Sequence, residues 1–304
     1  MKKMIFITFL MTSMLVISCS SNNEQIQPDP GPKYEKSEPV YEIPNDDELD
    51  TSVNANDARF NLSKIKMKEN SILKGKKIYW LGSSVTYGSA SEQLSMVDYV
   101  SARTGCISTK EAVSGTTLYN NGSNSYVMRM QSGKIFDTEE KIDAFVCQIS
   151  TNDCTNDRLD KRGRMTADDV LDINEFDNTT TLGAVEYIIA YVAETWNCPI
   201  YFYSGAYFSD GSNKAQRQNN NPKGSEYGKF VNQVKQIAEK WDSYMDYNVK
   251  VIDLYNDEEF NSKASSKYYS WATSDTIHPK KAGYSQWWSP YIQAFIENDF
   301  IDRL

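Results

Sequence analysis

The chain has 304 residues, 40% of them apolar and 12% aromatic, enough to bury one large core or two small ones. A formal net charge of −9 argues against nucleic acid as a partner, which would need a clustered basic face. The N-terminal apolar stretch, residues 4–17, is too short for a comfortable membrane span.

That stretch follows Lys2 and Lys3 and ends at Ser18-Cys19, the layout of a secretory signal. Val16-Ile17-Ser18-Cys19 resembles the bacterial lipobox, in which the cysteine is lipidated and becomes the mature N-terminus. An ordinary signal peptide cleaved nearby and a single N-terminal anchor helix are the alternatives. The expectation is removal of residues 1–18 and a lipid anchor on Cys19. The protein would then lie outside the cytoplasm, in the periplasm or at the surface of a bacterial envelope.

Residues 19–58 hold ten acidic side chains against Lys33 and Lys36, with Pro28, Pro30, Pro32, Pro39 and Pro44 close together. Such a composition buries too little apolar surface to offset its ordering entropy, so the segment reads as a flexible acidic tether. It carries most of the net charge, and one domain is expected over residues 59–304. Cys106, Cys147, Cys154 and Cys198 have no metal-ligand spacing and no dense disulfide pattern. Cys147 and Cys198 lie in apolar runs and read as buried thiols.

Within the domain, strands are predicted over residues 77–81, 108–113, 144–149, 200–204 and 250–254. Helices are predicted over 94–104, 181–196, 225–241 and 282–298, with a shorter one near 126–134. Strand alternating with helix predicts an α/β fold, a three-layer α/β/α sandwich around a parallel five-stranded sheet. Ligands of such sheets collect outside the carboxyl ends of the strands. The turns after each strand are therefore the places to look, with the long polar stretches 153–180 and 205–224 as the rim.

The first of those turns follows Lys77-Ile78-Tyr79-Trp80-Leu81-Gly82, where the apolar run breaks into Ser83-Ser84-Val85-Thr86. A strand delivering a serine to a turn is where a nucleophile would sit, and a serine hydroxyl needs a base and oxyanion donors. The sequence has one histidine, His278, in Asp275-Thr276-Ile277-His278-Pro279. Asp275 lies three residues upstream, where it could fix the ring tautomer, and Pro279 suits a first helical position. Asn152, leaving an apolar run in Ser150-Thr151-Asn152-Asp153, can donate to an oxyanion without proton transfer. Gly115 ends another such run, where backbone can approach a ligand closely.

Taken in order, these four stretches resemble the blocks of the SGNH (GDSL-type) hydrolase superfamily, over about residues 77–300. Gly82-Ser83-Ser84-Val85-Thr86 matches Gly-Asp-Ser-x-Thr, and Gly115 falls where the second block's glycine belongs. Ser150-Thr151-Asn152-Asp153 corresponds to Gly-x-Asn-Asp, and Asp275-Thr276-Ile277-His278 to Asp-x-x-His. Ser83 and Ser150 depart from the pattern. The resemblance implies the flavodoxin-like SGNH fold and a Ser84-His278-Asp275 triad. It further implies an oxyanion hole from the Ser84 and Gly115 N–H groups and the Asn152 amide, with no cofactor and no metal. The expected activity is hydrolysis of small acyl esters, acetyl above all, on carbohydrate.

Tyr87, Tyr119, Tyr207, Trp271, Trp287 and Trp288 stand near the site loops, where aromatic faces suit sugar rings, although core packing accounts for most such residues. No extended hydrophobic lid is visible, which disfavours long acyl chains. A lipase or thioesterase would use the same residues. A surface lipoprotein that binds glycan without turnover is the reading from a different class.

Overall fold

All five predicted strands pair into one parallel sheet in the computed structural model, which describes residues 33–207, 225–245 and 249–304. They are β1 (Lys77–Gly82), β2 (Ile107–Ala112), β3 (Ala144–Gln148), β4 (Ile200–Tyr203) and β5 (Val249–Ile252), in the spatial order β2-β1-β3-β4-β5. β3 and β4 are buried along their whole length, as strands covered on both faces must be. The strand order reverses at β1, so the crevice for a ligand opens at the carboxyl end of that strand and its neighbours.

The helices are α1 (Ser84–Tyr87), α2 (Met96–Thr104), α3 (Tyr126–Gln131), α4 (Thr181–Thr195), α5 (Glu226–Met245), α6 (Glu258–Ser262), α7 (Ser266–Ala272), α8 (Lys281–Gly283) and α9 (Ser289–Asp302). A π-helical turn, Tyr284–Trp288, joins the last two. α2 starts two residues later than predicted because Ser95 and Asp98 form a reciprocal capping box. Side chains of α3, α4 and α5 pack on Tyr79, Leu81, Phe145 and Phe202 from one face of the sheet. Those of α2, α7 and α9 pack on Ile78, Trp80, Val146 and Tyr201 from the other. This is the three-layer sandwich the alternating pattern predicts.

The expected tether is different from residue 34 onward: Tyr34–Leu304 form one compact unit, and the acidic segment lies on the α2/α9 side of it. Tyr34, Tyr41, Ile43 and Leu49 recur among the acids and pack on that core, with Leu49 buried, a pattern that average composition conceals. Lys36 pairs with Asp302 at 2.5 Å, and Ser37 exchanges backbone hydrogen bonds with the Asn298 side chain. Farther on, Ala55 O accepts from the Ala282 N–H and Asn56 Oδ1 from the Lys281 N–H, at 2.9 Å each. The segment thus satisfies the first free donors of α8, three residues beyond His278.

A chain beginning at residue 59 is accordingly expected to melt at least about 5 °C below one beginning at residue 34. Thermal unfolding followed by circular dichroism measures this, and equal midpoints would mean that the segment adds nothing to the fold. Cys19 and the proposed cleavage site lie outside the described residues. Of the thiols, Cys106, Cys147 and Cys154 are reduced, and all four including Cys198 are buried.

Candidate active site

Ser84 is the first residue of α1, a single helical turn that follows β1 directly. Gly82 makes that sharp exit fit, since a Cβ there would lie 1.7 Å from Thr86 Oγ1 and 2.9 Å from Gln148 Oε1. Gln148, at the end of β3, gathers the turn. Its Oε1 accepts from Ser83 N (2.9 Å), Thr86 N (3.2 Å) and Thr86 Oγ1 (2.8 Å). Having spent its proton there, the Thr86 hydroxyl accepts from Tyr203 Oη at 2.5 Å. The turn is therefore fixed by buried polar groups on two neighbouring strands.

His278 Nε2 lies 2.7 Å from Ser84 Oγ, and its Nδ1 lies 2.7 and 2.9 Å from the two Asp275 carboxylate oxygens. Asp275 Oδ1 also accepts from the N–H groups of His278 (3.0 Å) and Ile277 (3.2 Å), so one carboxylate shapes the loop as well as orienting the ring. Between them Thr276 adopts φ +70°, a strained conformation for a β-branched residue, with its carbonyl bonded by the Tyr269 hydroxyl. Pro279 is not the first helical residue. It pairs with Thr273 in an antiparallel bridge that closes the loop, and α8 begins at Lys281.

Gly115 follows β2, whose Ala112 is in register with Gly82, so the Ser84 and Gly115 turns leave adjacent strand ends. At φ +78° with open space where a Cβ would be, Gly115 takes a conformation that other residues rarely adopt. Among the described residues neither the Ser84 nor the Gly115 N–H donates to a protein acceptor. Asn152, beyond β3, sends one amide proton to Thr116 O at 2.9 Å, leaving its second N–H for another acceptor. The arrangement places a hydroxyl, a base with its orienting carboxylate and unspent N–H donors at the ends of β1, β2 and β3.

No protein-family model matches the sequence, and no curated protein matches it. Among solved structures the chain is similar to a protein from Lactobacillus plantarum, with a TM-score of 0.54 and 22% identity, over 74% of this chain and 98% of that one. It is also similar to a family two carbohydrate esterase from Clostridium thermocellum in complex with cellohexaose, with a TM-score of 0.50 and 14% identity, over 77% of this chain and 67% of that one. The fold is that of the SGNH hydrolases.

Both departures from the SGNH blocks have a local structural counterpart. Ser83, where the pattern has aspartate, is fully buried beside the Tyr126 hydroxyl, a place for a neutral side chain. Ser150, where the pattern has glycine, donates to Thr116 O (3.2 Å) and accepts from Asn152 N (3.1 Å), tying the third block to the second. Next to Asn152, Asp153 is buried with both carboxylate oxygens 3.1–3.2 Å from Leu118 N, and it accepts from the Thr181 hydroxyl. Gln148 and Arg129 stand outside the four blocks, because a buried polar residue at a strand end or in a short helix has no periodic signature.

Burial pushes the Asp153 carboxyl up to about 7, with the Leu118 amide and the Thr181 and Ser150 hydroxyls only partly opposing it. A carboxyl raised in the folded state favours folding most fully below its unfolded value of about 3.9, and that contribution is lost as pH rises through the folded value. Asp153→Asn removes the titration while keeping an acceptor for Leu118. Its melting temperature is therefore expected to vary less than wild type between about pH 4 and pH 8. Parallel curves would show that Asp153 does not titrate in that window.

The aromatic residues divide differently from a sugar platform. Trp287, Trp288 and Tyr119 are buried, and Trp271 donates to Val53 O at 2.6 Å beneath the N-terminal segment. Tyr87 and Tyr207 remain part-exposed. Among the described residues no group of three or more His, Cys, Asp or Glu could hold a metal ion.

Proposed function

We propose that the protein is a serine esterase that removes small acyl groups, acetyl above all, from carbohydrate through an acyl-enzyme. The observation that carries the reading is the chain of contacts from Ser84 Oγ through His278 to Asp275, with unspent N–H groups on Ser84 and Gly115 beside it. In this reading Ser84 Oγ attacks the ester carbonyl while His278 Nε2 takes its proton. Asp275 holds the ring so that Nδ1 keeps its hydrogen, and the two amides with Asn152 receive the oxyanion. His278 then returns the proton to the departing alcohol. Water, deprotonated by the same nitrogen, releases the acid.

The sugar part of the proposal draws on the likeness in fold to a carbohydrate esterase in complex with cellohexaose. Acetate release from acetylated plant, host and bacterial glycans tests it, with p-nitrophenyl palmitate as the long-chain comparison. The expected result is acetate from at least one glycan and little cleavage of palmitate. Preference for palmitate would replace the carbohydrate reading with a lipase. We further propose that Cys19 anchors the protein to the bacterial envelope. Cys19→Ala should then release it from the membrane fraction, and unchanged partitioning would rule the anchor out.

A further inference from the structure

The two backbone donors of the oxyanion site belong to adjacent strand ends, which the β1–β2 ladder and a hydrogen bond from Val113 N to Gly82 O (3.3 Å) hold together as far as the start of the Gly115 turn but not through it. Arg129, in α3, reaches into the space that joins them. Its side chain is 7% exposed, and its guanidinium serves four acceptors. Nη2 donates to Gly82 O at 2.7 Å and to Thr116 Oγ1 at 3.2 Å, Nη1 to Glu111 Oε1 at 2.8 Å, and Nε to Asn124 O at 2.8 Å. Gly82 stands two residues before Ser84, and Thr116 directly follows Gly115.

The link to Thr116 continues into the turn. Thr116 Oγ1 donates to Val113 O at 2.7 Å, closing the tight turn that holds Gly115 at φ +78°. One guanidinium nitrogen therefore bridges the exit of β1 and the closure of the Gly115 turn. Glu111, 12% exposed, balances the charge from β2, and the Tyr126 ring lies 5.2 Å from the guanidinium carbon. A planar fork with fixed N–H directions sets the separation of its acceptors. A lysine ammonium, a point charge on a flexible stem, does not.

We propose that Arg129 is a positioning residue that sets the spacing between the Ser84 and Gly115 N–H donors and through it the turnover number; this rests on the esterase reading above. It touches neither the ester nor the Ser84–His278–Asp275 contacts. Displacing one donor weakens an interaction made in the transition state, so kcat should fall with little change in KM.

The test measures p-nitrophenyl acetate hydrolysis by Arg129→Lys, Thr116→Val, the double variant and Ser84→Ala. Competent sites are counted by the nitrophenol burst with diethyl p-nitrophenyl phosphate. Arg129→Lys is expected to lose about 30- to 300-fold in kcat per counted site, with KM within about threefold. The acid-side midpoint of its kcat/KM profile should match wild type. Thr116→Val, which removes both the Arg129 contact and the bond to Val113 O that closes the turn, should lose about tenfold, and the double variant should fall little further than Arg129→Lys. If Arg129→Lys folds poorly, Arg129→Gln, which leaves the Thr116–Val113 bond in place, carries the same test.

A purely structural role would give fewer counted sites, each turning over at the wild-type rate, and that result overturns the proposal. Hydrolysis retained by Ser84→Ala overturns the reading of the site and the role of Arg129 together. An inactive Ser84→Ala alongside wild-type kcat in Arg129→Lys overturns the role of Arg129 alone.

Discussion

Ser84→Ala is expected to lose ester hydrolysis by at least about a thousandfold while its unfolding transition stays within a few degrees of wild type. The activity loss follows from chemistry, because among the described residues Ser84 Oγ is the hydroxyl hydrogen-bonded to His278 Nε2. The modest stability change follows from the turn, which is held by Gln148, Tyr203 and Tyr284 through Ser83, Thr86 and Val85 and not by the Ser84 hydroxyl. His278→Ala should fall to a similar level, and the double variant no lower. Side chains that act as one unit do not lose activity additively.

The second large effect is expected from Asp275→Asn, a loss of about a hundredfold to ten-thousandfold in kcat. The carboxylate accepts from His278 Nδ1 and from two backbone N–H groups. An amide in its place keeps one acceptor but can turn its NH2 toward Nδ1. The ring would then carry its hydrogen on Nε2 and donate to Ser84 instead of accepting its proton. Part burial alone would raise the Asp275 pKa, but hydrogen bonds from the His278 ring and from the His278 and Ile277 amides, with the imidazolium charge, hold it below the usual carboxylate range.

A carboxyl lowered in this way contributes stability above its unfolded value of about 3.9 and loses it as pH falls through the lower folded value. Asp275 is therefore ionised throughout the neutral range. A fall of kcat/KM on mild acidification therefore does not come from protonation of this carboxylate. In Asp275→Asn the plateau should drop across the whole pH range. A variant that regains wild-type rates at high pH would show that Asp275 does not hold the ring in its reactive orientation.

What the sequence made legible follows from what is periodic or chemically rare. β1, β3 and β4 could be read because buried parallel strands are continuous apolar runs, and His278 could be found because it has no rival. α6 and α7 were missed because they span five and seven residues, too few for an apolar stripe to show, and they start on Asp257 and Ser265 caps that read as loop. The segment from Tyr34 to Asn56 was misread because composition averages its acids with the apolar residues that seat it. Gln148 and Arg129 were missed for another reason. Their value lies in acceptors on other strands, which become neighbours only once the sheet has formed.

The proposed mechanism requires Ser84 Oγ to be the atom that becomes acylated. Diethyl p-nitrophenyl phosphate transfers its phosphoryl group to an activated serine oxygen and expels nitrophenol, so intact-protein mass followed by peptide mapping locates the nucleophile. One diethylphosphoryl group on the peptide containing Ser84, lost in His278→Ala, is the predicted result. Modification of a different residue, or undiminished ester hydrolysis by protein fully phosphorylated at Ser84, would contradict it.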